Sequence, residues 1–306
     1  MQNFIFKSSD ETEIFVYKWL PEAGNAKGIV QIAHGMAEHA ERYDRFARHL
    51  TKNGYIVYAN DHRGHGKTAG DIDKLGYLGD EDGFELLVED LLTLSSIIKN
   101  DNPYLPLFLF GHSMGSFAAQ RYIMLSGNDL DGVILSGSNG KQGLMLKIGT
   151  MMAKREINKH GRKAQSPRLD KLIFAGYNKG FQPSRTGADW LSRDEKEVDK
   201  YVNDPYCGTI FTAGFFYDFL EGLMGVEDRN NMTLIPKDLP IYIFSGDKDP
   251  VGKNGKGIVD LYNRYNDLGI KDVIYKLYSG GRHEMLNETN REEVMDDIVE
   301  WLDLHI

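Results

Sequence analysis

The chain has one cysteine, Cys207, in 306 residues, so it forms no internal disulfide. That usage suits a reducing compartment. Basic charge is scarce, with 36 Lys and Arg against 45 Asp and Glu and a net charge of −9. Binding phosphate backbones needs a basic surface, so nucleic acid is not an expected partner, and an anionic membrane surface is disfavoured. No apolar run has the length of a bilayer-spanning helix. The start, Met1 to Lys7, lacks the apolar core of a secretory signal. There is no internal repeat and no low-complexity tract. What these absences leave is a soluble, cytoplasmic globular chain, long enough for one large α/β domain with an insertion or for two small domains.

The chain is organised around Pro106 to Ser116. Leu107-Phe108-Leu109-Phe110 has no polar alternation, so the spacing predicts a strand buried on both faces, as in a parallel sheet covered by helices. Gly111-His112-Ser113-Met114-Gly115 fits G-x-S-x-G, and a helix-compatible run over 117–125 follows. A serine on a sharp strand-to-helix turn holds its hydroxyl clear of the backbone, and flanking glycines let neighbouring backbone come close. The five-letter pattern is short, and it is the apolar strand before it and the helix after it that give it meaning.

Around this stretch, strand and helix alternate up to residue 138. An antiparallel pair over 3–7 and 13–20 comes first, followed by a loop over 21–25. Strands are expected at 28–33, 55–59 and 132–136, with helices at 41–52 and 83–99. Residues 139–237 hold no strand of that quality. They hold apolar helical stretches near 143–153 and 209–226 with a polar, charged middle. Alternation resumes with strands at 240–244 and 273–278 and helices near 255–268 and 290–304. The reading is a mostly parallel α/β sheet with helices on both faces. Its core comprises 1–138 and 238–306, and a helical cap is inserted over 139–237.

A serine hydroxyl needs a base, the base an orienting acid, and the oxyanion donors. In open α/β sheets such groups gather at the carboxyl ends of strands. His283 follows the strand ending near Tyr278 and is the expected base. Asp247 and Asp249 compete for the acid after the strand 240–244; Asp249 is preferred, with Asp247 bracing the turn. The oxyanion donors are expected at the backbone N–H of Met114 and at that of Met36, with Gly35 as its rival. Asp61, His62 and His65 are read as loop bracing rather than a metal site, and His112 as packed rather than catalytic. Neither metal nor cofactor is expected.

In the cap, Leu144, Met145, Leu146, Ile148, Met151 and Met152 crowd one helix; Phe215, Phe216, Phe219, Leu220 and Leu223 are among those crowding another. Most are expected to form the cap's own small core. A subset, represented by Met145, Phe215 and Phe216, is expected to line an apolar tunnel for an acyl chain.

The combination resembles a known family. His34-Gly35-Met36-Ala37-Glu38-His39 with Arg42-Tyr43, the run Asp61 to Gly66, Gly111 to Ser116, Gly246-Asp247-Lys248-Asp249 and His283-Glu284 look like the monoacylglycerol lipase and lysophospholipase-like branch of the α/β-hydrolases. Ser116 stands where that family often has glycine. The resemblance implies an α/β-hydrolase fold with Ser113 as nucleophile, Asp249 as acid and His283 as base. It also implies Met36 and Met114 as oxyanion donors and the insertion as a lid. A serine hydrolase acting on a small-molecule ester or single-chain lipid is the leading expectation, with transient contact of the cap methionines with a lipid surface. A small-ester carboxylesterase, a serine aminopeptidase and a ligand-binding protein on the same fold stand as alternatives.

Overall fold

The computed structural model describes residues 1–22 and 26–306, so the loop expected over 21–25 lies partly outside the described residues. In chain order the first elements are β1 (Gln2–Lys7), β2 (Glu13–Trp19), β3 (Gly28–Ala33), α1 (Asp44–Lys52), β4 (Tyr55–Asn60) and α2 (Gly83–Asp101). Next come β5 (Leu107–His112), α3 (Met114–Ser126) and β6 (Gly132–Ser136). A helical segment follows: α4 (Leu144–His160), α5 (Pro167–Phe174), α6 (Glu195–Asn203), α7 (Ala213–Glu227) and α8 (Arg229–Met232). The chain ends with β7 (Ile241–Gly246), α9 (Lys256–Asp267), β8 (Val273–Tyr278) and α10 (Arg291–Asp303).

All the strands belong to one sheet, in the order β1-β2-β4-β3-β5-β6-β7-β8. The β1–β2 and β2–β4 pairs are antiparallel, and every other pair is parallel. The fold is that of the α/β-hydrolases. Leu107 to Phe110 are fully buried, as their lack of polar alternation predicts. Leu107 and Leu109 pack with Leu91 and Ile123 on one face, and Phe108 and Phe110 with Phe46 and Trp301 on the other. From β3 the chain passes to β4 on one side of the sheet and then to β5 on the other. The crevice at the carboxyl ends of β3 and β5 is therefore a topological switch point, where ligands of such sheets bind.

Helix α7 packs on α4 and on α2 and α3 of the sheet layer. The Phe219 ring lies 5.8 Å from Phe84 and 6.1 Å from Phe117. The buried apolar residues of α4 and α7 thus join the cluster that covers one face of the sheet, rather than forming a separate core as their crowding suggested, while Leu144, Met145, Ile148 and Met151 are exposed. Within the segment between β6 and β7, Ala188, Leu191 and Val198 form a small cluster of their own.

Candidate active site

The turn between β5 and α3 is held by close approach. Ser113 has φ 52° and ψ −119°, a conformation that side chains rarely adopt. A Cβ on Gly115 would stand 2.1 Å from the Ala33 carbonyl oxygen, and one on Gly111 would stand 2.5 Å from that of Gly115. Both positions therefore need glycine. The Ser113 carbonyl accepts bonds from the Ser116 N–H at 2.9 Å and the Ser116 hydroxyl at 2.7 Å, so this serine pins the turn from behind.

Asp249 and His283 meet after β7 and β8. Both carboxylate oxygens of Asp249 lie 3.0 Å from His283 Nδ1. Asp249 also accepts from the Ser245 hydroxyl at 2.6 Å and the Val251 N–H at 2.9 Å. Burial opposes its charge, but the charge and hydrogen bond of His283 outweigh this, so its pKa lies below the usual carboxylate range. Burial likewise opposes a proton on His283, yet the charges of Asp249, Glu284 and Glu38 hold its pKa above that of an ordinary histidine. Asp247 takes the bracing role, accepting from the Gly280 N–H at 2.8 Å at the base of the His283 loop. His112 lies 4.7 Å from the His283 ring, and burial, with the neighbouring His283, pushes its pKa down to about 3. It is a neutral packing group.

The donors at the switch point sort themselves. The Gly35 N–H donates to Glu38 Oε1 at 2.6 Å and so is engaged. Met36 lines the same cavity as Ser113, and Met114 opens α3, where the first N–H groups of a helix lack intrahelical partners.

Ser113, Met36, Met114 and His283 open onto one cleft of about 830 Å³, part of it open to solvent. Its far walls come from the segment between β6 and β7: Ile173, Phe174 and Tyr177, then Trp190, then Phe219, Leu220 and Leu223. The three substrate-contact residues expected from sequence do not line it. Phe215 and Phe216 are buried in the cluster between α7 and the sheet layer, and Met145 is 64% exposed on the outer side of α4. Helical phase explains the miss. Crowded apolar residues mark α7 as packed on several sides, and only the Phe219, Leu220 and Leu223 stripe faces inward.

Comparison with known proteins fits this geometry. The profile of the "Serine aminopeptidase, S33" family matches residues 24–290. A monoacylglycerol lipase of Mycolicibacterium smegmatis is 31% identical over 295 residues, 94% of this chain and 92% of that one. The chain belongs to the monoacylglycerol lipase-like family of α/β-hydrolases. It is a hydrolase of the lipase and esterase type. A monoglyceride lipase of Rattus norvegicus is 26% identical, over 96% of this hydrolase and 88% of the relative. The crystal structure of a carboxyl esterase from Bacillus coagulans, solved in complex with glycerol, superposes with a TM-score of 0.92 at 30% identity. That match covers 99% of this chain and 98% of that one.

One feature of the hydrolase escaped the sequence reading although its residues stand in the motifs. Arg42 reaches Glu284 through both terminal nitrogens, at 2.8 and 2.7 Å, and Glu38 at 2.6 Å. Glu38 also accepts from the Tyr43 hydroxyl at 2.9 Å. The charge of Arg42 holds Glu284 down at about 2 despite its burial. Burial and the charge of Glu284 push Glu38 up. The available signal was the Glu38–Arg42 spacing of four, one helical turn, but Glu284 is distant in sequence. Glu38 and Glu284 are the only acidic side chains lining the cavity among the described residues, and both are engaged by Arg42.

The run from Asp61 to Gly66 braces the site, as expected. The His62 N–H donates to His34 Nε2 at 2.9 Å, and Asp61 accepts from the Ala40 and Lys67 N–H groups at 2.8 and 2.7 Å. Buried Arg63 is tied to Asp90 at 2.8 Å. A different trio, His39, Asp204 and Cys207, has its ligand atoms within 4.8 Å of one another. There His39 is already bonded to Asp204 at 2.9 Å, and burial pushes the Cys207 thiol pKa up, away from the thiolate a metal would need.

Proposed function

We propose that this hydrolase cleaves single-chain carboxylic esters, monoacylglycerols foremost, through an acyl-enzyme on Ser113. The observation that carries the reading is the Asp249–His283 pair at 3.0 Å, whose His283 opens with Ser113 onto one cavity walled largely by apolar side chains. His283 takes the Ser113 proton as the hydroxyl attacks the ester carbonyl. Asp249 fixes the ring through Nδ1, which directs Nε2 toward the cavity and favours the imidazolium. The Met36 and Met114 N–H groups hold the oxyanion, each worth about 3 kcal/mol in the transition state. His283 then protonates the leaving alcohol and activates water for deacylation.

Residues 139–237 act as the cap over the core, and Phe219, Leu220 and Leu223 supply the acyl wall. Apolar walls with a few convergent polar groups are what a single-chain ester needs. The names of the lipase relatives and the glycerol in the esterase structure support a glycerol leaving group. Engagement of Glu38 and Glu284 by Arg42 weighs against an aminopeptidase. No helix among the described residues is long and apolar enough to cross a membrane. We assign the protein to the cytoplasm, in keeping with its lone cysteine, with Leu144, Met145 and Met151, exposed on α4, touching lipid surfaces transiently.

A panel of esters from acetate to long-chain monoacylglycerols and lysophospholipids tests this, with Ser113→Ala as the blank. The expected result is a rate that rises with acyl length and favours glycerol esters. A short-chain optimum would make the enzyme a general esterase.

A further inference from the structure

Two rings pack against His283. The His112 ring lies 4.7 Å away, and the indole of Trp190 lies 5.0 Å away with planes 36° apart. Trp190 comes from the segment between β6 and β7, not from the sheet domain that carries Asp249 and Ser113. The same segment grips the backbone of the His283 loop. The His283 N–H donates to the Trp190 carbonyl at 3.4 Å, and the Glu284 N–H donates to that of Leu191 at 2.8 Å. The Arg282 guanidinium donates to the carbonyls of Asp189 and Ser192. Trp190 is fixed in turn. Its backbone N–H donates to Asn178 Oδ1 at 2.9 Å, and its ring lies 4.8 Å from that of Tyr177.

An indole face attracts a cation, more strongly where water is excluded. His112, the other ring beside it, is neutral, so it offers the proton no such help. We propose that Trp190 is a positioning residue for His283. Its indole face stabilises the imidazolium formed when His283 takes the Ser113 proton, and its carbonyl fixes the turn that carries the ring. This rests on the reading of His283 as base. It gives the segment around Trp190 a role beyond covering substrate: an opening motion that carried Trp190 away would dismantle the base.

Other groups also set the charge on His283. Asp249 faces it from the loop after β7, His112 from β5 and Glu38 from the loop after β3. Glu284 lies on its own turn and is held, like Glu38, by Arg42; Tyr177 stands beside Trp190 and senses the charge of Asp249. All of these residues are kept in Trp190 variants, and loss of burial on truncation would raise the His283 pKa, opposite to loss of the ring face, so the direction of the shift separates the two effects.

The test compares wild type with Trp190→Phe and Trp190→Leu on a short-chain ester, for which the acyl wall matters least. The acid limb of kcat/KM is expected to move to lower pH by roughly half a unit to one unit in the leucine variant and by less in the phenylalanine variant. At neutral pH kcat is expected to fall about 3- to 30-fold while KM changes little. A second readout needs no turnover. Protonated histidine quenches a neighbouring indole, so Trp190 fluorescence is expected to titrate with the midpoint of the acid limb and to stop doing so in His283→Gln. Trp301 lies 4.4 Å from His305, so its signal is removed by subtracting the Trp190→Phe titration. Acid limbs that coincide with wild type in both variants would overturn the proposal, as would a Trp190 titration that survives His283→Gln. Hydrolysis retained by His283→Gln itself would overturn the base assignment instead, which keeps the two failures apart.

Discussion

Arg42 bonds Glu284 through two parallel contacts at 2.8 and 2.7 Å, and so ties the loop after β3 to the loop that carries His283. The pair is almost wholly buried, with side-chain exposures of 11% and 7%. Breaking a buried pair leaves an uncompensated charge and costs about 3–5 kcal/mol. Arg42→Met strands two carboxylates, Glu38 and Glu284, and is expected to lose at least that much stability in urea unfolding. A loss under about 1 kcal/mol, the range of an exposed pair, would show that the clamp does not hold the loops.

Asp249 and Asp247 differ sharply in surroundings, and their substitutions should differ accordingly. Asp249→Asn removes the charge beside His283 Nδ1 and is expected to lower kcat by about four decades. Asp247→Asn keeps an acceptor near the Gly280 N–H, and a loss below about tenfold is expected. Steady-state kinetics on one ester distinguish them, and the reverse order would move the acid role to Asp247.

The pH profile follows from His283. Its pKa lies above the ordinary value, and a base works only when neutral. Activity should therefore rise with pH through a midpoint above about 6.5. In Asp249→Asn the residual activity should show a lower midpoint, because the charge favouring the proton is gone. An unchanged midpoint would detach Asp249 from His283.

Stability depends on pH with the opposite emphasis. Burial holds His62 down at about 3, His65 at about 4, His112 at about 3 and His34 well below its usual value. Each binds a proton more readily when unfolded. Their contribution is full above about 6.5 and is lost as pH falls toward their folded values. His283 runs the other way, adding stability below about 6.5 that fades as pH rises through its raised pKa. Four groups against one predict a melting temperature that drops steeply between pH 6.5 and 4.5. A flat profile by scanning calorimetry would mean that these histidines are not buried neutral.

The acyl wall makes a contrast of two substitutions. Leu223 faces the cavity, whereas Met145 is on the outer side of α4. Leu223→Trp should shift the preferred ester to shorter chains. Met145→Asp should leave chain-length preference unchanged with soluble short and medium esters. The opposite pattern would put the acyl chain along α4.

Strand positions were legible because burial on both faces leaves an apolar run of distinctive length, as at Leu107 to Phe110. The turn at Ser113 was legible because Gly111 and Gly115 admit no other residue. Helices α5 and α6 were not, although Ser166 before Pro167 and Asp194 before Glu195 are cap signals, since with 8 and 9 residues each spans little more than two turns, too short for its period to stand out. Cavity contacts were illegible for a different reason. Phe215 and Phe219 are alike in sequence, and only the packing of α7 against Phe84 and Phe117 turns one inward and buries the other. The Arg42 clamp joins residues 242 positions apart, beyond the reach of any local pattern.

The central claim is that Ser113, activated by His283, is the nucleophile. It is tested most directly by treating the protein with a fluorophosphonate and mapping the adduct by peptide mass spectrometry. One adduct per chain is predicted, on the peptide holding Ser113, formed at least a hundredfold more slowly in His283→Gln, on the order of the loss expected when a general base is removed. An adduct on another residue, or ester hydrolysis that persists in Ser113→Ala, would contradict it.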